Sequence, residues 1–273
     1  MSAPDPVAAL IADLTDEQER LHAVLAPLAP EDWACPTPAV GWDIRDQLAH
    51  IALVELHAVQ AVSDPAGFER ATDEAAADPA AFERGMYERG QTYRGPDLLE
   101  LWAPARRTVV ETLAAAPDGV RIAWWGPSMG SRSFLTARLM ETWSHGQDIR
   151  DALGIHTPVT SGLRHIAHLG VITHGWSYAV RGLDPDPTPV FVDLAGPGGE
   201  RWTWGDPELP DRVSGEALDF CLVVTQRRHW RDTTLDVQGS SATSWMDIAQ
   251  AFAGPPTTTS PHRGVPTRGE VHV

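Results

Sequence analysis

Hydrophobic positions recur every three to four residues along most of the first 155 residues, the pattern of amphipathic helices. Asp43 is placed to cap one of these helices, and Gly154 ends the last of them. The Ala-rich stretch before residue 95 has a weaker period and is predicted to be helix plus a mobile connection. The pattern predicts helices over residues 6–27, 43–63, part of 65–94, 96–115 and 131–153. Helices of this length joined by short connections indicate an antiparallel four-helix bundle.

Past Gly154 the pattern changes to short strands that alternate with helices, separated by Pro and Gly turns. The strands are predicted in TPVFVDLAG, RWTWGD, RVSG and TTLDVQG, and the helices over residues 158–181, 216–226 and 243–253. This alternation is typical of a small α+β domain. We therefore predict the α+β fold class, with a helical bundle over 1–155, a smaller α+β domain over 156–254, and a disordered tail over 255–273.

The composition is that of a soluble globular protein: 42% of the 273 residues are hydrophobic. The formal charge of −16 disfavours nucleic acid and anionic membranes as partners. No apolar run reaches the ~18 residues that span a bilayer, and the N-terminus carries acids where a signal peptide carries basic residues. The two cysteines, Cys35 and Cys221, are predicted to be small core residues. These features indicate a cytoplasmic protein, and we expect a monomer or a homodimer.

Glu141, His145 and Asp148 follow one another at spacings of four and three residues, which places them on one face of the last bundle helix. A Glu and a His one turn apart can share a metal ion with a third ligand from a facing helix. His50 is the best candidate for that ligand, because it lies in the apolar run QLAHIALVEL. Two imidazoles and one carboxylate suit Zn²⁺, and three protein ligands leave a position open for water or a thiolate.

A structural interpretation of the same residues stands beside this one. A Glu and a His four residues apart are common surface pairs, and a core histidine can be satisfied by a backbone carbonyl. His57 lies two turns after His50 and is interpreted as a bundle-lining residue or as a group that orients a ligand imidazole. Trp124 and Trp125 are either packing residues or a wall beside a ligand cleft. Three further histidines are interpreted as helix-surface or domain-interface residues: His165, His168 and His174.

All 21 basic residues are arginines, since the chain contains no lysine. Schiff-base and P-loop lysine chemistry are therefore excluded. Any recognition of a carboxylate depends on arginine, whose planar guanidinium suits it well. Arg227 and Arg228 follow an apolar helix, where they either bind such a group or simply favour the helix C-terminus.

The segments GWDIRDQLAHIA and ARLMETWSHGQDIRDALG resemble the mycothiol-dependent maleylpyruvate isomerase family, a branch of the DinB-like four-helix-bundle superfamily. The first is similar to the family's Trp-x-Val-Arg-Asp-x-x-x-His signature, with Ile44 in place of Val. The resemblance implies a metal held by His50, Glu141 and His145. The C-terminal half is similar to uncharacterised bacterial proteins in which the bundle is fused to a small α+β domain.

The resemblance also implies a role for residues near the end of the second domain. In the family an arginine after a helix that ends Leu-Thr-Gly-Arg reaches the active site, and Val-Thr-Gln-Arg here assigns that role to Arg227. Gln226 replaces the family glycine, and Arg228 is adjacent. Asp148 or His57 would orient a ligand imidazole.

The function implied is a metal-dependent enzyme that uses a low-molecular-weight thiol, mycothiol, in actinobacteria. It would be a cis-trans isomerase or a thiol S-transferase acting on a small electrophilic substrate that bears a carboxylate. Two other functions remain open: a thiol-independent metal hydrolase or cyclase on the same bundle, and a protein that only binds a small ligand or a metal.

Overall fold

The chain folds into two compact units in a computed structural model that describes residues 6–116, 119–125, 128–254 and 256. The first unit contains the described residues up to His156, and the second begins at Thr157. The described helices include none with the length and apolarity that crossing a bilayer requires. The disordered tail predicted over 255–273 lies outside the described residues, apart from residue 256.

The described part of the first unit contains four long helices, whose bounds agree closely with the predicted ones, and two shorter helices. The six helices of this unit are α1 (Pro6–Leu25), α2 (Ile44–Ser63), α3 (Pro65–Ala77), α4 (Pro79–Gln91), α5 (Gly95–Ala114) and α6 (Ser131–Leu153). Helix α2 packs against α5 and α6, and α1 packs against α6 and α5. Apolar side chains at helical spacing, among them Leu21, Leu48, Trp102 and Ile149, fill the space between the helices.

Local signals explain where α2 and α6 begin and end. The Asp43 carboxylate accepts from the Asp46 N–H and the Asp46 carboxylate accepts from the Asp43 N–H, so the two residues form a capping box. Gly154 ends α6 in the left-handed conformation, with φ 66°, that glycine adopts without steric cost. The two helices that carry the predicted metal ligands are thus bounded by their own sequence.

The stretch 65–94 contains α3 and α4, and the predicted mobile connection there is wrong. Asp64 and Asp78 each accept a hydrogen bond from the backbone N–H three residues further on, and each is followed by a proline at the first helical position. Both helices pack against α2. The Ala-rich sequence hides the period, but the two Asp-Pro caps mark both starts.

Short elements complete the first unit. Residues Asp32–Ala34 form a 3₁₀ helix, and β1 (Arg121–Ile122) pairs antiparallel with β2 (Met129–Gly130). None of the three was predicted. Cys35 is half-buried at the margin of the bundle core, so its prediction as a core residue is only partly right.

The second unit is the smaller α+β part. Its elements are α7 (Leu163–Ile172), α8 (His174–Ala179), β3 (Phe191–Ala195), β4 (Arg201–Trp204), β5 (Arg212–Glu216), α9 (Ala217–Val224), a 3₁₀ helix at Trp230–Asp232, β6 (Asp236–Gln238) and α10 (Ser240–Met246). The sheet order is β4-β3-β5-β6, with β3 parallel to β5 and the other pairs antiparallel. Cys221 is buried, as predicted.

Two helix predictions in this unit need correction. The helix predicted over 158–181 is divided into α7 and α8, and Thr173, between them, donates its hydroxyl to the Leu169 carbonyl. The last helix begins at Ser240 instead of residue 243 and ends at Met246. Its first turn is held by the Asp211 carboxylate, which accepts from the Ser241 and Ala242 N–H groups. A carboxylate 30 residues upstream is a tertiary partner that local sequence does not announce.

Candidate metal centre

Three side chains predicted as metal ligands lie together where α2 and α6 pack. His50 Nε2 is 3.7 Å from Glu141 Oε2, and His145 Nε2 is 3.3 Å from the same oxygen. One donor atom from each residue lies within 4.8 Å of the other two. Glu141 and His145 share a face because they are four residues apart on α6, whereas His50 arrives from α2 through the packing of the two helices.

Hydrogen bonds around Gln47 fix which nitrogen of His145 carries its proton. The Thr37 hydroxyl donates to the Trp42 carbonyl at 2.9 Å and accepts from the Gln47 side-chain amide at 2.9 Å. The Gln47 carbonyl oxygen is therefore oriented to accept, and it lies 2.6 Å from His145 Nδ1. Nδ1 carries a hydrogen in either form of the ring: Nε2 offers a lone pair to a metal ion when the ring is neutral, and donates to Glu141 when the ring is protonated.

An indole and a set of charges surround the three side chains. The Trp42 ring stacks on the His145 ring at 5.9 Å and lies 5.5 Å from the His50 ring. Burial alone would raise the pKa of Glu141, but hydrogen bonds from His145 and His50 and the charge of Arg138 hold it well below its usual range. Glu141 is therefore a carboxylate at neutral pH, which is the form that binds a metal ion.

The donor set fits a divalent ion such as zinc. Ligand atoms about 2.0–2.1 Å from a tetrahedral ion lie about 3.3–3.4 Å from one another. The two measured separations to Glu141 Oε2, 3.3 and 3.7 Å, are close to that value. Two imidazoles and a single carboxylate suit late divalent metals better than calcium or magnesium, which prefer oxygen ligands.

The helical bundle matches a known protein family. A family model described as the mycothiol maleylpyruvate isomerase N-terminal domain matches residues 14–150. The chain belongs to this family. The matched range includes all three residues of the candidate centre, and the resemblance read from the two sequence motifs is thereby confirmed.

Relatives of known sequence extend the likeness over both units. Two uncharacterised proteins of Mycobacterium tuberculosis, from strains CDC 1551 and H37Rv, are each 44% identical over 256 residues, which is 94% of this chain and 98% of each relative. The match therefore includes the α+β unit as well as the family domain.

Solved structures share the fold. The crystal structure of the mycothiol-dependent maleylpyruvate isomerase matches with a TM-score of 0.56 and 13% identity, over 83% of this chain and 92% of that one. A histidine-to-alanine mutant of that enzyme matches over the same shares with a TM-score of 0.52 and 12% identity. At this identity the likeness shows a common fold, with a helical region followed by a smaller α+β part.

Three of the other predicted site residues lie in one aromatic cluster. Trp124 and Trp125 are half-buried in an aromatic cluster, where Trp124 stacks on Phe68 at 5.4 Å. His57 belongs to the same cluster, 5.2 Å from the Trp125 ring, and its Nε2 lies 3.3 Å from the Met86 sulfur.

Asp148 is buried on α6 one turn beyond His145. The residue that the structure places on His145 Nδ1 is Gln47. Orienting roles for Asp148 and His57 stay predictions.

Arg227 and Arg228 lie in the second unit, directly after α9. The Gln226 N–H donates to the Val223 carbonyl and the Arg227 N–H to the Leu222 carbonyl, which is the Schellman pattern of a helix end. Gln226 has φ 60° there, a left-handed conformation that glycine adopts without steric cost. Arg227 donates to the Thr225 carbonyl and Arg228 to the Arg227 carbonyl, both at 2.7 Å.

The three remaining histidines belong to the second unit. His168 is exposed and accepts from the Trp204 indole at 3.1 Å, in agreement with a surface position, whereas His165 is half-buried. His174 lines a small cavity with Trp245 and Asp186, and its Nε2 is enclosed without a hydrogen-bond partner. Burial lowers the pKa of His174.

Sequence reasoning missed three residues near the candidate centre: Gln47, Trp42 and Arg138. Gln47 is fully buried, although glutamine is mostly a surface residue. Arg138 lies one turn before Glu141 on α6, with its guanidinium 4.8 Å from the centre of the Trp124 ring. The i, i+3 spacing to Glu141 was the signal that could have identified Arg138.

Proposed function

We propose that this protein is a metal-dependent enzyme that uses a low-molecular-weight thiol, mycothiol, as cofactor or co-substrate. His50, Glu141 and His145 are the proposed ligands, and Zn²⁺ is the proposed ion. The observation that carries the proposal is the convergence of His50 Nε2, Glu141 Oε2 and His145 Nε2, with the His145 tautomer set by Gln47. Membership of the isomerase family supports the use of a thiol.

Each part of the site has a proposed task. A bound zinc ion would act as a Lewis acid that lowers the pKa of a coordinated thiol, so that the nucleophilic thiolate exists at neutral pH. Gln47 holds Nε2 of His145 in the form that donates a lone pair. Trp42 covers the two imidazoles and limits the access of water to them.

Roles for the remaining residues are part of the same proposal. Asp148 or His57 would orient a ligand imidazole, and Trp124 with Trp125 would form a wall of the cleft. Arg227 anchors a substrate carboxylate or stabilises an enolate, and Arg228 lines the cleft.

The proposed substrate is a small electrophile that bears a carboxylate, and two reaction classes suit it. An isomerase of the maleylpyruvate type adds a thiol sulfur to a conjugated C=C, which permits rotation, and then returns the thiol unchanged. An S-transferase leaves the thiol attached to the product. We propose that the chain acts in the cytoplasm as a monomer or homodimer, without nucleic acid or membrane partners. The proposed domains are a bundle over 1–155, an α+β domain over 156–254 and a disordered tail over 255–273.

Metal analysis of the purified protein is the first test. We expect close to one equivalent of zinc in the wild type and strong depletion in His50→Ala and Glu141→Gln. His156→Ala removes an exposed histidine outside the candidate centre and serves as the matched control. Zinc retained in both ligand variants would refute the ligand assignment.

Thermal unfolding with added mycothiol is the second test. A thiol at 100 times its dissociation constant stabilises the folded state by about 2.7 kcal/mol. S-methylated mycothiol, which lacks the free sulfhydryl, should give a much smaller shift. If zinc is bound but millimolar mycothiol produces no shift, a thiol-independent metal hydrolase or cyclase replaces the proposed function.

A further inference from the structure

A buried arginine without a polar partner lies one helical turn from the candidate metal centre. Arg138 is only 4% exposed. Among the residues that the structure describes, none forms an ion pair or a hydrogen bond with its guanidinium. The Nε atom of Arg138 is fully enclosed, whereas Nη1 and Nη2 each keep some exposed surface. The two terminal nitrogens, which together present the bidentate edge of arginine, therefore keep some accessible surface and have no hydrogen-bond partner among the described residues.

Arg138 lies near two aromatic rings and a buried acidic residue. Its guanidinium lies 4.8 Å from the centre of the Trp124 ring and 5.7 Å from that of Phe134. Glu55 on α2 is 1% exposed, and its Oε1 is enclosed without a partner. Burial raises the pKa of Glu55, and the charges of Arg138 and Arg106 oppose that rise. Glu55 and Arg138 form no ion pair.

A buried guanidinium without a hydrogen-bonding partner is costly, so an anion that accepts its hydrogen bonds would be stabilised there. Arg106 differs from Arg138 in this respect, because it forms a direct ion pair with Glu19 at 2.8 Å. The i, i+3 spacing puts the Cβ atoms of Arg138 and Glu141 about 5–6 Å apart on one face of α6. A small carboxylate held by Arg138 would thus lie beside the proposed ion, with the Trp124 ring next to its carbon skeleton.

We propose that Arg138 is the anion-binding residue of this site and receives a carboxylate of a small organic substrate. Its part in a reaction rests on the proposed function, but the binding of an anion does not. The assignment places a carboxylate receptor on the same helix as Glu141 and His145, in addition to the role proposed for Arg227. The substrate class that follows is a small carboxylic acid whose reacting carbon lies a few bonds from its carboxylate.

The test measures binding of succinate to zinc-loaded and to EDTA-treated protein by isothermal titration calorimetry. Succinamide, the neutral diamide of the same shape, is the ligand control. We expect the dissociation constant for succinate to rise at least tenfold in Arg138→Met. It should change less than twofold in Arg132→Met, which removes an exposed arginine from the same helix. The EDTA-treated arm separates binding at arginine from binding of carboxylate to the ion.

A second variant covers the case in which Arg138→Met fails to fold because Glu55 loses the nearby positive charge. Arg138→Met combined with Glu55→Gln removes both charges and should fold, yet still bind succinate at least tenfold more weakly than the wild type. Wild-type affinity in this double variant, or no binding of succinate by the wild type, would overturn the proposal. Arg138-dependent binding in a protein that takes up no zinc would uphold it while the metal proposal fails.

Discussion

Replacing Gln47 by leucine removes the carbonyl that accepts from His145 Nδ1–H and keeps a side chain of similar volume in a fully buried position. Leucine at position 47 offers no acceptor to the Nδ1–H of His145, so this contact no longer sets the tautomer and orientation of the ring. The Thr37 hydroxyl also loses the amide that donates to it at 2.9 Å.

The magnitude follows from these contacts. Loss of a partner that orients a metal-binding histidine weakens metal affinity by about 10- to 100-fold, which is about 1.4 to 2.8 kcal/mol. The free energy of unfolding of the metal-free protein should fall by about 1–3 kcal/mol, because a buried donor is left without an acceptor. Thr37→Val removes only the contact one step further out, so we expect a smaller effect on metal affinity.

Competition with a chromophoric zinc chelator measures the affinity, and ¹⁵N NMR of the His145 ring reports which nitrogen is protonated. Gln18→Leu is the matched control, because Gln18 is also buried but lies on α1, whereas the three donors lie on α2 and α6. If Gln47→Leu binds zinc as tightly as Gln18→Leu and the wild type, the tautomer reasoning is wrong.

Three further predictions concern stability. Glu17→Ala leaves Arg150, its buried partner at 2.8 Å, without a counter-charge, so the free energy of unfolding in urea should fall by about 3–5 kcal/mol. Combining Glu17→Leu with Arg150→Met should recover most of this stability. An equal loss in the double variant would contradict the reasoning. Gln226→Ala should be less stable than Gln226→Gly by about 1 kcal/mol in calorimetry, because alanine is strained at the positive φ of this position and glycine is not. Equal melting temperatures of the two variants would argue against backbone strain. Burial and, to a smaller extent, the charge of Arg89 lower the pKa of His57 in the folded protein, so His57 binds a proton more readily in the unfolded chain. The free energy of unfolding should therefore fall more between pH 7 and pH 5 in the wild type than in His57→Phe. Parallel pH profiles for the two proteins would exclude this contribution.

The helices could be predicted because their ends are encoded locally. Asp43 and Gly154 bound α2 and α6 through a capping box and a left-handed turn, both of which depend on residues within one turn. The same kind of signal was present at Asp64 and Asp78, but the alanine-rich sequence between them weakens the helical period. The start of α10 depends on Asp211, a partner distant in sequence, and was therefore misplaced.

The candidate centre could be predicted only in part. The spacing of Glu141 and His145 is a local property of α6, whereas the approach of His50 depends on how α2 packs against α6. Gln47 escaped notice for the same reason, since its contact with His145 spans 98 residues of sequence. Arg138 stands at a visible helical spacing, but most arginines on helices are exposed, and only packing reveals that this one is not.

The placement of the three donors on α2 and α6 has a consequence for how the chain folds. An ion held by both helices would close a loop of about 90 residues that contains α3, α4 and α5. Because the three donors come together only in the folded bundle, the free energy of binding the ion would add to the stability of the folded state. The bundle's resistance to unfolding would then depend on the supply of metal in its surroundings, and starvation for the ion would weaken the scaffold together with the chemistry.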